Sequence, residues 1–170
     1  MRAPLIGLVV IAVAVGAWWT NRQSFEAELA EHGVDPATVV VLDDETRVAV
    51  RGIGPRKVEA FYFDHDLLRG WDAGVGGGVG LDIGNGTVVA MMGWGGEDSL
   101  GWSALLYGLG PPGTASVDVT AGDAVGSISD AATSAFFIAS RQELTPDDIR
   151  YRLLDSAGNV LFHGHGLGPA

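Results

Sequence analysis

The sequence predicts a mostly β protein, an antiparallel β-sandwich set behind an N-terminal transmembrane helix and a short helical stalk. Three observations carry this. After Pro36, apolar and polar residues alternate with a period of two through a series of short runs, the spacing that sends successive side chains to opposite faces of a strand. Turn sequences separate those runs (DDET, GIGP, GNG, PPGT, AGD and DSAGN), with no helical periodicity between them. The chain also opens with PLIGLVVIAVAVGAWW, sixteen residues without a charge.

That opening segment comes first in the chain. Nineteen uncharged residues run from Ala3 to Asn21, flanked by Arg2 and Arg22. Its strongly apolar part would span about 24 Å as a helix, a little short of a hydrocarbon core of roughly 30 Å. Val15-Gly16-Ala17 would serve as a small-residue cleavage site for a signal peptide. Retention is favoured by Trp18 and Trp19, placed where an interfacial aromatic belt belongs, and by the polar TNRQ that follows. Residues 1–22 are therefore expected to stay as a single-pass anchor in the cell membrane. The N-terminus would be cytoplasmic and the acidic remainder extracytoplasmic. Gly7 and Gly16 would let this helix pack closely against another membrane subunit.

Residues 23–37 read as the stalk or linker. QSFEAELAEHG has helical character and ends on Gly33, a common helix stop, before Asp35-Pro36 breaks the segment. Residues 38–166 form the sandwich. The expected strands are Thr38–Leu42, Arg47–Arg51, Lys57–Phe63, Val79–Ile83, Thr87–Met92, Ser103–Tyr107, Ala115–Thr120, Ala124–Ser129, Ser134–Ser140, Ile149–Leu154 and Val160–His165. In LDIGNGTVVA, Asn85-Gly86 supplies the positive-φ pair of a tight hairpin. In IRYRLLDSAGNVLFHGH, Ile149, Tyr151 and Leu153 point one way while Arg150 and Arg152 point to solvent. Short strands without intervening helices imply two packed antiparallel sheets, immunoglobulin-like or jelly-roll-like. Residues 167–170 are expected to form a flexible tail.

The run YGLGPPGTASVDVT, with the later YRLLDSAGNVLFHG, resembles the immunoglobulin-like ectodomains of small anchored bacterial proteins. The likeness covers about the last third of the chain, implies a fold, and carries over no functional residue.

Composition narrows the chemistry. With 26 glycines and no strict three-residue period, the chain suits turns and short strands and excludes collagen. No cysteine is present, so disulfides, thiolate metal sites and cysteine nucleophiles are excluded. Nine of the ten basic residues are Arg, a bias that suggests a high-GC bacterial genome. Net charge is −11, and because Arg2 and Arg22 precede residue 23 while all 21 acidic residues follow it, the remainder carries −13. Nucleic acid is not expected as a partner, since phosphate backbones would be repelled.

Several motifs dissolve on inspection. GLGPPG, residues 108–113, matches the G-x-G-x-x-G spacing, but a strand follows it rather than a helix, and two prolines remove amide donors. It reads as a turn. DAGVGGGVG, residues 72–80, lacks the lysine of a phosphate loop and reads as a flexible loop, with close contact to a partner backbone as the alternative. Around Ser103, GWSALLYG lacks the second glycine of a nucleophile elbow. The acidic turns at 43–45 and 97–99 lack calcium-loop spacing. The sequon at Asn85 is better explained by the hairpin.

Two sets of residues remain. Trp71, Trp94 and Trp102 lie in or beside glycine-rich stretches, where they either plug the ends of the sandwich or stack on a sugar or partner protein. His163 and His165 flank Gly164 in the last long strand and should share a face. With His65 they offer three imidazoles suited to a zinc-like ion, provided the strands bring them together. The expected function is a tethered, non-enzymatic protein-interaction module or accessory subunit of an envelope complex, with no cofactor. Its partners would be the lipid bilayer and another membrane or envelope protein. The alternatives are a carbohydrate-binding module using the tryptophans and a metal-binding protein using His65, His163 and His165.

Overall fold

A computed structural model describes residues 25–66, 70–93, 102, 104–142 and 145–170. The expectations for the apolar segment, Trp94, Ser103 and the acidic turn at 97–99 lie outside those residues. Within them the protein is mostly β, and every strand pairing is antiparallel.

Helix α1, residues 25–31, comes first. It stops where the sequence places Gly33, whose φ is +59°. The Gly33 N–H donates to the Ala30 carbonyl at 3.2 Å and the Val34 N–H to the Leu29 carbonyl at 2.8 Å, a Schellman closure. The apolar contact that accompanies such a closure is present too, because Leu29 and Val34 are buried together.

A 3-10 turn at Pro36–Thr38 leads into the first sheet. Its strands run in chain order: β1 (Val39–Val41), β2 (Thr46–Gly54), β3 (Lys57–Asp66) and β4 (Gly70–Val79). Strands β5 (Leu81–Gly84), β6 (Thr87–Gly93), β7 (Ala104–Leu109), β9 (Val125–Asp130) and β10 (Ala135–Ser140) make a second sheet in the order β5-β6-β7-β10-β9. A third sheet, ordered β13-β12-β11-β8, joins β8 (Ser116–Thr120), β11 (Arg150–Leu154), β12 (Val160–His165) and β13 (Gly168–Pro169).

The expected sandwich of two sheets is thus a stack of three, with the second sheet in the middle. Alternation along neighbouring strands explains how one layer serves two cores. On β10, Phe137 faces Val48, Val50, Val58, Ala60 and Tyr62 of the first sheet. Its chain neighbour Phe136 faces Ile149, Tyr151, Leu153 and Phe162 on the opposite side. Leu105 and Leu106 on β7 divide in the same way. A third cluster lies on the outer face of the first sheet, where Ala49, Phe61 and Phe63 receive Leu29 and Val34 with Phe25 packed alongside. The segment expected to act as a stalk therefore lies flat against the domain.

Two further elements depart from expectation. The glycine-rich run at 72–80 is not a loop, since β4 pairs with β3 along its whole length, from Asp66↔Gly70 to Lys57↔Val79. Glycine has no side chain to alternate, so the strand leaves no period in the sequence. It also fits a crowded partner, as a Cβ on Gly77 would come within 3.0 Å of Glu59 Cγ. The C-terminal tail is paired as well, with Gly168 opposite His165 and Pro169 opposite Gly164.

The expected hairpin is present. Asn85 and Gly86 adopt φ of +51° and +75°, and the Asn85 amide donates to the Leu161 carbonyl at 3.0 Å. The chain passes from the first sheet to the second at Gly80, where an added Cβ would lie 2.5 Å from Val88 Cγ1.

Candidate binding surfaces

The three histidines do not converge. His65 lies on β3 in the first sheet, its ring 5.0 Å from that of Trp71. His163 and His165 lie on β12 in the third sheet, and the middle sheet separates the two locations. Among the described residues no group of three or more His, Asp or Glu side chains could hold a metal ion. The zinc-type reading of His65, His163 and His165 therefore loses its geometry.

Within the third sheet the sequence reading of HGH holds, and its reason is packing. Tyr151 on β11 stands opposite Gly164. A Cβ there would lie 2.0 Å from the tyrosine Cζ, so the buried ring occupies the space a side chain would need. The flanking imidazoles consequently face outward beside Arg152 and Arg150, their cross-strand partners. Burial of Tyr151 raises its phenol well above the ordinary value.

Register sets two rows across this outer face. Asp118, Arg152 and His163 form one, and Thr120, Arg150 and His165 the next. Arg152 pairs with Asp118. The His165 Nε2 lies 2.8 Å from the Asp147 carbonyl; a carbonyl can only accept, so Nε2 carries the proton. An open groove of about 310 Å³ lies here, lined by Asp118, Thr120, Arg150, Arg152, His163 and Gly164 among others.

The described tryptophans are structural rather than free. Trp102 is 4% exposed in the core between the first and second sheets. Its indole N–H donates to Asp43 Oδ2 at 2.8 Å, and Arg141 meets the same oxygen at 3.2 Å. Burial opposes ionisation of Asp43, but hydrogen bonds from Trp102, Thr46 and Glu45 together outweigh it and hold the carboxyl below its usual value. The turn DDE is thus an anchor for a core indole.

Trp71 is engaged on the outer face of the first sheet. The Arg47 guanidinium sits 4.1 Å from the Phe25 ring centroid and 4.3 Å from that of Trp71, a stacked cation between two aromatic faces. Burial lowers the Arg47 pKa. Nearby, burial and then the charges of Glu45, Asp66 and Asp72 raise the Asp64 carboxyl. With Trp102 buried and Trp71 occupied by Arg47, Phe25 and His65, neither offers an open platform for a sugar.

One feature that sequence reasoning missed is the free edge of the first sheet. Among the described residues strand β4 pairs only with β3, and most of its residues are exposed, including Val75 at 52% and Val79 at 71%. Natural edges are usually blunted by lysine, proline, a bulge or a covering loop. GWDAGVGGGV contains neither lysine nor proline, its register with β3 is unbroken, and Asp72 is its one charge. That absence of blunting residues was the readable clue.

No protein family, no curated protein and no solved structure matches the chain.

Proposed function

We propose that the chain is a tethered protein-interaction module. Residues 1–22 would hold it in the membrane as a single span, and the β domain, outside the cytoplasm, would capture an extended segment of an envelope partner. The observation that carries this reading is the ten-residue edge of β4, unpaired on one side among the described residues and carrying exposed Val75 and Val79. Strand addition uses such an edge, drawing affinity from main-chain hydrogen bonds and selectivity from alternate side chains. The charge of −13 after residue 22 favours a partner segment with basic residues among its apolar ones and disfavours a second copy of this chain. Two tethers into one bilayer, the anchor here and a membrane partner's own, would raise the effective concentration of the strands for each other.

The test is gentle detergent extraction of the tagged full-length protein, with co-purifying chains compared between wild type and a Val75→Lys/Val79→Lys variant. A stoichiometric envelope protein should accompany wild type, slow amide exchange along β4, and be lost from the variant. Equal retention by the variant, or extraction of wild type alone under several mild conditions, would overturn the proposal.

A further inference from the structure

We propose that the outer face of the third sheet binds a small dianionic oxyanion of the phosphate-monoester class. Arg51, Arg56, Arg141 and Arg152 each meet a carboxylate, and Arg47 is held between aromatic rings. Arg150 differs: it is exposed, its cross-strand neighbours are Thr120 and His165, and among the described residues no carboxylate is its partner. It lines a groove of about 310 Å³ together with Arg152, Thr120 and His163.

The groups around that groove are mainly donors. Arg150 presents a planar fork that matches two oxygens of a phosphate. Thr120 adds a hydroxyl, His163 an imidazole, and Arg152 the N–H groups not used by Asp118. Asp118 is the acidic side chain lining the groove and is already paired with Arg152, and the main chain of Ala170 lines it too. The wider domain is acidic, and a long polyanion would feel that repulsion over many phosphates. A single small anion samples mainly charges within a Debye length, about 8 Å at physiological ionic strength, and Arg150 is the cation in this groove not already paired with a carboxylate among the described residues. The site lies on a different sheet from β4, so it stands or falls independently of strand capture.

The probe is inorganic phosphate, titrated against full-length protein in detergent micelles at constant ionic strength, with chloride as the control ion. Backbone amide shifts should saturate at Thr120, Arg150, Arg152 and His163. Arg150→Ala, an exposed change that leaves the core intact, should weaken binding at least tenfold. Arg150→Lys should fall between the two, and Lys57→Ala should titrate like wild type. Absence of saturable shifts, or an Arg150→Ala variant that titrates like wild type, would overturn the proposal. So would a response to phosphatidylglycerol vesicles with none to inorganic phosphate, because the occupant would then be a lipid surface.

Discussion

At the scale of single residues, glycine explains what motif matching does not. The three glycines of GLGPPG serve different packing needs. A Cβ on Gly108 would lie 2.1 Å from the Val88 carbonyl oxygen, one on Gly110 would lie 2.6 Å from Thr114 Oγ1, and Gly113 adopts φ +88°. Gly164 is the most constrained by a side chain, since the Tyr151 ring fills its place. Gly164→Ala should therefore cost about 3 kcal/mol in urea unfolding, the upper range for overpacking, and Tyr151→Leu in the same chain should recover part of it. Asp43 gives a second expectation. Its folded pKa lies below the ordinary 3.8, so its contribution is complete above that value and is lost as pH falls through the lower folded value. Asp43→Asn should flatten the loss of stability on acidification below about pH 4, read from urea midpoints across that range. The sequence shows the residues of this anchor but not that Asp43 and Trp102, fifty-nine positions apart, share a hydrogen bond.

At the scale of elements, α1 belongs to the domain. The Arg51 guanidinium donates to the carbonyls of His32 and Gly33 and pairs with Glu59. A cation thus sits at the helix C-terminus, where the dipole favours it. Leu29 is 4% exposed against Phe61 and Phe63, so Leu29→Ala should destabilise the whole domain by about 3 kcal/mol. Loss of protection confined to the helix amides, with the global midpoint unchanged, would show that α1 undocks independently. The helix and its stop were legible because caps and glycine stops are local. Docking was not legible, since the face that receives the helix comes from residues on β2 and β3. Strand β4 escaped for another reason, as a strand made largely of glycine has no pattern to read.

At the scale of the whole molecule, the third layer was the main surprise, and the sequence did carry a trace of it. AFFIAS on β10 is buried at all six positions, and ALLYGL on β7 shows no alternation either. A continuous apolar run marks a strand covered on both faces, whereas a two-sheet sandwich calls for polar residues on the outside. Because Phe136 and Phe137 support different cores from adjacent positions, the two cores should melt together. Either residue changed to Ala should cost about 4 kcal/mol. Amide signals from Val50 in the first sheet and Leu153 in the third should share one urea midpoint; two midpoints would mean separable halves.

The order of the sheets along the chain also sets an order of assembly. Strands β1 to β4 are consecutive and pair with their neighbours, so the first sheet closes few long loops and can form as soon as it leaves the ribosome. Its inner face, Val48, Val50, Val58, Ala60 and Tyr62, then waits for β6, β7 and β10 to cover it. Until β10 arrives, a newborn chain displays both a sticky apolar surface and the bare edge of β4. That interval is when misassembly threatens most, and when an escort that shields unfinished sheets would matter most to the yield of finished protein.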